Sequence, residues 1–478
     1  MKSAFVFASS VAAVNALPTS FKSGLDTDLA SVKSPYDYYL DQKLDHFDRS
    51  NKEVFGQRYF VNDTYWNGDG PVFLCVGGEG PPLTWKVLVA SDHCNDMVEL
   101  APQVGALLLA LEHRYYGPST PNDDYSSENL RFLSSEQALG DIAHFHAKMS
   151  DEYELTDANK WVSFGGSYPG MMAAMARLRY PHLFHAAVSS SSPLQAAVEM
   201  PGYNEVVAES MANEGVGGSQ LCLDVITDGH KAVGELLETS SGRRELEEMF
   251  NICTPNALDN EANAEQFAGN GVVYLPVQSN DPVCKGPHCN IEKICNMMTD
   301  SSLGTPLDRL VALHTDQSGG ACTPANHELY LRAISNPKDS GRSWYYQTCT
   351  EWGYYMTCPV GSKCPYVQGL HKLSSDYEMC SRAFGIDQET VDESIAFAND
   401  MYGGSDIQGT RIMYPNGEID PWKANGVLVP PNDESPVMMV TGASHHVWTH
   451  AAEDTDTEYV VAAKQAIWDQ VTAWLKEE

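Results

Sequence analysis

Between Lys160 and Leu178 an apolar run breaks into glycines around a single serine and then resumes at helical spacing. It reads Lys160-Trp161-Val162-Ser163-Phe164-Gly165-Gly166-Ser167-Tyr168-Pro169-Gly170, followed by Met171-Met172-Ala173-Ala174-Met175-Ala176-Arg177-Leu178. Such a stretch is a strand that turns sharply into a helix, so it restricts the chain to folds with a strand–turn–helix unit near their centre. A turn of this kind, a nucleophile elbow, holds its serine on strained backbone with the hydroxyl clear of a parallel sheet. Backbone N–H groups beside it can accept a developing oxyanion. Ser167 is therefore the candidate nucleophile. Gly-x-Ser also occurs in ordinary turns, so its partners must be found elsewhere in the chain.

Other short apolar runs supply the sheet around that turn. Pro71–Val76 ends in Gly77-Gly78-Glu79-Gly80, and Gly105–Leu111 ends in Glu112-His113-Arg114-Tyr115-Tyr116-Gly117. Both look like buried parallel strands that deliver loops to one sheet edge. Trp85 to Leu100 leaves room for a crossover helix, Ser135 to Met149 carries a helical period, and Phe184–Val188 reads as the strand after the elbow. Gln42–Asp48 and Gln57–Val61 read as opening strands. Strands alternating with helical patterns specify a doubly wound α/β sheet. From 194 to 400 helical patterns dominate, as in Ala232 to Phe250 and Pro306 to His314. Strand patterns then return at Thr410–Tyr414 and Pro436–Val440, and an amphipathic helix spans Glu458 to Lys476. The expectation is a core split in sequence, 37–193 and 401–478, with a helical cap inserted at 194–400.

Composition narrows the partners and the compartment. With 64 acidic against 30 basic residues, the net charge of −34 repels phosphate backbones and anionic membranes, so nucleic acid and membrane surfaces are poor partners. Lys2, the apolar stretch Ala4–Ala13 and Val14-Asn15-Ala16 form a signal-peptide pattern over 1–16. Residues 17–36 follow as a flexible lead or pro-segment. The 12 cysteines, ten of them between Cys222 and Cys380, fit structural disulfides of an oxidising compartment, and their pairing stays open. A zinc site is the rival explanation, but Cys284, Cys289 and Cys295 lack ligand spacing and no Cys-x-x-Cys occurs. Asn62-Asp63-Thr64 is a glycosylation sequon at Asn62.

A serine nucleophile needs a base and the base an orienting carboxylate, in the chain order serine, acid, histidine on this kind of sheet. The two late strands end in Asn416-Gly417-Glu418-Ile419-Asp420-Pro421-Trp422 and in Gly442-Ala443-Ser444-His445-His446. Asp420 is the preferred acid with Glu418 as its rival, and His445 the preferred base with His446 as its rival. Each taken alone is more often a turn or surface residue, and it is their appearance after consecutive strands that selects them.

Eight segments in fixed order carry a resemblance. They are Gln42–Phe47 (QKLDHF), Gly77–Gly80 (GGEG), Glu112–Gly117 (EHRYYG), Leu133–Asp141 (LSSEQALGD), Gly165–Gly170 (GGSYPG), Tyr346–Trp352 (YQTCTEW), Asn416–Trp422 (NGEIDPW) and Gly442–His446 (GASHH). With these the chain resembles the serine peptidases of the S28 family. The resemblance implies an α/β-hydrolase core with a helical cap, proline-directed exopeptidase activity on peptides, and no metal or organic cofactor. It maps nucleophile, acid and base onto Ser167, Asp420 and His445. Two departures stand out: Pro169 replaces the usual glycine, which a first helical turn tolerates, and Ser444 separates Ala443 from the histidines.

By analogy with the fold, the oxyanion donors are the backbone N–H groups of Tyr168 and of Gly78 or Glu79. Trp422, Tyr346 and Trp352 are candidates for a compact apolar pocket, although aromatics are more often simple core. A free substrate amine would call for a carboxylate such as Glu79, a free carboxylate for Arg114 or His113, so direction stays open, as does a homodimer. The secretory pathway, ending outside the cell or in a lysosome or vacuole, is the expected route. An esterase or lipase on the same scaffold, or a catalytically silent binding protein, are the competing readings.

Overall fold

The computed structural model describes residues 37–477, so the signal-peptide and lead expectations lie outside the described residues. An eight-stranded sheet runs β1-β2-β4-β3-β5-β6-β9-β10. Its strands are β1 (Tyr38–Lys43), β2 (Val54–Asn62), β3 (Val72–Val76), β4 (Leu107–Leu111), β5 (Trp161–Gly166), β6 (Ala186–Ser190), β9 (Ile412–Gly417) and β10 (Val437–Val440). The β1–β2 and β2–β4 pairs are antiparallel; every later pair in the order is parallel. This is the α/β-hydrolase order. It sets β9 against β6, and β10 beyond β9, although more than 200 residues separate β6 from β9 in sequence.

Alternation along the central strands builds a core on each face of the sheet. Val72, Leu74, Val76, Leu107, Leu109 and Leu111 pack on one side, Phe73, Cys75, Leu108, Ala110, Val162 and Phe164 on the other. The first face is covered by α2 (Ser135–Glu152) and α3 (Tyr168–Arg179), the second by α1 (Asn95–Val104) and the C-terminal helix Glu458–Lys476. Because β3, β4 and β5 are buried on both faces, they read as continuous apolar runs. The expected crossover helix is really two pieces, a short 3-10 turn at Trp85–Leu88 and α1. Between them Cys94, in the left-handed region at φ 58, caps α1 and is bonded to Cys75 of β3.

Between β6 and β9 lies the helical cap with a small parallel sheet, β7 (Ala197–Glu199) and β8 (Gly353–Tyr355). The helix expected from Ala232 to Phe250 is broken at Glu238-Thr239. One helix ends at Leu237, and Thr239 caps the next by accepting from Gly242 N–H. All 12 cysteines are paired: Cys222–Cys295, Cys253–Cys322, Cys284–Cys289, Cys349–Cys380 and Cys358–Cys364 join cap to cap, and Cys75–Cys94 stays within the core. No disulfide ties cap to core, so the two are held together by packing and hydrogen bonds. No helix among the described residues is long and apolar enough to cross a membrane.

Candidate active site

Strand β5 is central and fully buried, and it releases the chain into Ser167 at φ 63, ψ −134, the residue that caps α3. A non-glycine residue at positive φ is strained, and the surroundings must over-determine it. Here Ser167 N–H donates to Ser190 O at 2.9 Å while its carbonyl accepts from Met171 N–H at 3.0 Å. Gly166 is required because a Cβ there would stand 2.7 Å from the His446 ring. The Ser167 residue itself is partly exposed. Tyr168 follows as the first helical residue, whose N–H has no partner inside a helix. Pro169 occupies the opening turn, as the sequence reading expects.

Asp420 and His445 come together from the loops after β9 and β10. Asp420 is fully buried; its Oδ2 lies 2.8 Å from His445 Nδ1 and its Oδ1 accepts from Trp422 N–H at 3.0 Å. A carboxylate only accepts, so Nδ1 carries the proton and Nε2 presents a bare lone pair. That Nε2 is buried and has no partner among the described residues. The rivals are used otherwise. Glu418 Oε2 accepts from Gly442 N–H at 2.7 Å. His446 hydrogen-bonds Thr449 Oγ1 through Nδ1 at 3.0 Å, and burial plus the nearby His445, His93 and His450 hold its pKa well below the usual histidine value.

The first glycine loop reaches the elbow from β3. A Cβ on Gly78 would stand 2.3 Å from Pro169 Cγ, so the loop lies directly on the start of α3. Glu79, next in the loop, is partly exposed. Desolvation raises its carboxyl to about 7 against the lowering effect of its own backbone N–H and of His445. The two proposed cations face elsewhere. Arg114 is fully buried in a bidentate pair with Asp141 at 2.6 and 2.7 Å and also donates to the Lys43, Leu44 and Phe132 carbonyls. His113, which burial depresses to about 4, donates from Nδ1 to Arg114 O at 2.7 Å and therefore accepts from Tyr168 OH at Nε2.

Of the three aromatics singled out, Trp422 borders the site, its ring 6.4 Å from that of His445. Trp352 is instead 1% exposed and packs 5.9 Å from the Tyr168 ring, behind the elbow. Tyr346 packs edge-on against Phe384 at 5.4 Å inside the cap. Both sit in one helical stretch, which buries Trp352 and packs a half-buried Tyr346 against the core, a direction that composition alone does not reveal. Tyr203 and Tyr354, not singled out from the sequence, stand edge-on to Trp422 at 5.3 and 5.4 Å.

The sequence reading also missed what supports the elbow. Tyr168 OH accepts from Gln347 Nε2 at 2.9 Å, and Gln347 Oε1 accepts from Tyr116 OH. Gln347 Nε2 reaches Glu351 Oε2 at 3.1 Å, while Glu351 Oε1 accepts from Ser135 N–H and Oγ at 2.7 and 2.6 Å. Burial raises Glu351 to about 7 despite these donors. Gln42 and Gln57 meet Asp141 from β1 and β2. Five of the eight sequence segments thus converge on one buried polar network, and the signal was their joint presence in one chain.

Asn62 closes β2, partly exposed, with Nδ2 donating to Leu88 O at 2.8 Å. A surface cavity of about 430 Å³ lined by Arg411, Asp433, Glu434, Gln470, Trp474 and Glu477 contains none of these residues, so chemistry and not cavity size locates the site. Among the described residues no group of three or more His, Cys, Asp or Glu is disposed to hold a metal.

The model of the family Serine carboxypeptidase S28 matches residues 42–467. The thymus-specific serine protease of Mus musculus is 34% identical over 463 residues, 93% of this chain and 88% of that protein. The lysosomal Pro-X carboxypeptidase of Bos taurus is 28% identical, covering 92% of this chain and 88% of that protein. Among solved structures, proline iminopeptidase from Mycobacterium smegmatis aligns with a TM-score of 0.39 at 15% identity, over 91% of this chain and 99% of that one.

Proposed function

The chain belongs to the serine carboxypeptidase S28 family and is a serine-type peptidase, and from that premise we propose that it is an exopeptidase hydrolysing peptide bonds beside proline, with Ser167, His445 and Asp420 as its catalytic triad. The observation that carries the reading is the 2.8 Å contact of His445 Nδ1 with a fully buried Asp420, which leaves Nε2 without a partner among the described residues. In the reaction Ser167 Oγ attacks the scissile carbonyl and His445 Nε2 takes its proton. Asp420 holds the imidazole and offsets the charge it gains. The tetrahedral oxyanion receives backbone N–H donors from Tyr168 and the Gly78-Glu79 loop, each typically worth ~3 kcal/mol. His445 then returns the proton to the leaving amine, and water admitted to the acyl-enzyme repeats the sequence.

Proline preference rests on the relatives, one of which is named a Pro-X carboxypeptidase, and on the compact wall that Trp422, Tyr203 and Tyr354 make beside His445. With Arg114 and His113 enclosed, Glu79 is the ionisable group left beside His445 from those weighed for recognising a chain end. The six disulfides and the lysosomal relatives support a secreted or lysosomal location. Asn62 remains the proposed glycosylation site; a glycan on Nδ2 leaves one N–H there for Leu88.

Mass spectrometry of products from two peptides, one with proline second from the amino end and one with proline next to last, tests the reading. Cleavage of either beside proline by the wild type, with none by Ser167→Ala, is the expected result. Turnover of simple esters alone moves the assignment to an acyl hydrolase of another substrate class.

A further inference from the structure

One cap residue, Gln278, touches both loops of the proposed triad. The cap segment Val277–Asn280 has no regular structure, yet it meets both loops that carry the acid and the base. Gln278 O accepts from His445 N–H at 3.2 Å, and Asn280 O accepts from Ser444 Oγ at 3.0 Å. The Gln278 side chain reaches the other loop: its Oε1 accepts from Trp422 Nε1 at 3.1 Å and from Tyr203 OH at 3.0 Å. An indole nitrogen can only donate, so the oxygen of this amide must face it, and the side chain has one orientation. Trp422 in turn donates its backbone N–H to Asp420, and its ring stands tilted beside that of His445 at 6.4 Å. No disulfide joins cap to core, and beside the Gln347–Tyr168, Glu351–Ser135 and Ser210–Ile419 hydrogen bonds these are the ones that reach His445 and Trp422 directly.

Building on the peptidase reading, we propose that Gln278 is a positioning residue of the active site. Its main-chain carbonyl fixes the loop of His445, and its side-chain oxygen locks Trp422 and Tyr203 together as the apolar wall against which the substrate side chain is placed. The segment is itself anchored for this purpose. Val277 is fully buried, Asn280 Oδ1 accepts from Ile291 N–H at 2.9 Å, and Cys284–Cys289 closes the loop that follows. A Gln278→Ala variant keeps the main-chain carbonyl and with it the tie to His445, but releases the two donors of the wall. The reaction should therefore suffer in substrate placement more than in chemistry.

The test compares wild type, Gln278→Ala and Gln278→Glu in steady-state kinetics on a proline peptide, together with hydrogen–deuterium exchange of residues 418–427. Gln278→Glu retains oxygens for both donors. The expected result for Gln278→Ala is a KM raised about tenfold, as befits two lost hydrogen bonds, with kcat within about threefold and faster exchange at 418–427. Gln278→Glu should recover most of the loss. A purely structural role would lower the active fraction, and so kcat, at unchanged KM. Wild-type KM in Gln278→Ala, or equal impairment of both variants, overturns the proposal. If the wild type cleaves no proline peptide, it is the functional reading that fails, and exchange decides for Gln278: faster in Gln278→Ala supports the role, unchanged overturns it.

Discussion

Replacing Gly78 with alanine perturbs the proposed oxyanion site by an amount the geometry sets. The new Cβ would stand 2.3 and 2.5 Å from Pro169 Cγ and Cδ. Carbon atoms settle at ~3.5–4.0 Å, so one partner must move by more than about 1 Å. Pro169 has little freedom, because its main chain already lies so close to Gly165 that a Cβ there would be 2.4 Å from it. The glycine loop therefore yields, and its N–H donors leave the position of the oxyanion. A displacement of ~1 Å costs about 100-fold in rate, equivalent to ~2.7 kcal/mol of transition-state stabilisation. The loss should appear in kcat, since oxyanion donors act in the transition state, and only weakly in KM. Gly78 is partly exposed, so the melting temperature should stay within a few degrees. Pro169→Gly removes the obstructing ring, and the double variant should regain at least about tenfold in kcat. Steady-state kinetics with parallel thermal melts read both effects. A kcat for Gly78→Ala within threefold of wild type, or a folded double variant without recovery, refutes the reasoning.

Asp420→Asn places an amide where two donors converge, so His445 is driven to the tautomer with Nε2 protonated; kcat on a proline peptide should fall about 10⁴-fold with the melting curve little changed. Glu79, held up to about 7, is neutral at lysosomal pH and ionises as pH rises through that value, placing an anion beside the developing oxyanion. The alkaline decline of kcat/KM should therefore shift to higher pH in Glu79→Gln, and superimposable profiles would count against that role. Glu351 is likewise raised, from 4.5 to about 7, so the folded state keeps a proton there that the unfolded state has lost. Stability from this group is complete below pH 4.5 and declines as pH rises to 7, by on the order of 3 kcal/mol. Urea titrations at pH 5 and pH 8 should show that part of the difference removed in Glu351→Gln.

The sheet was legible because its central strands are buried on both faces and therefore stand out as apolar runs ending in glycines. The elbow was legible for the same reason, since β5 has to break into Gly165-Gly166 before it can turn. Asp420 and His445 could be selected because each follows a strand. Other features depend on three-dimensional neighbours that no local pattern encodes. Cys75 and Cys94 pair because α1 starts beside β3. Glu351 meets Ser135 across 216 residues. Trp352 looked like a pocket wall by composition, yet helical direction turns it onto Tyr168 behind the elbow. Gln278 lay in a stretch without period, motif or charge, and only the docking of the cap gives it partners.

Peptidase activity measured against progressive labelling by a fluorophosphonate, with the adduct located by peptide mass spectrometry, tests the central claim most directly. A single adduct on Ser167, with a loss of proline-peptide cleavage in proportion to it, is the expected result. Full labelling of Ser167 with cleavage intact, or inactivation with the adduct on another residue, would contradict it.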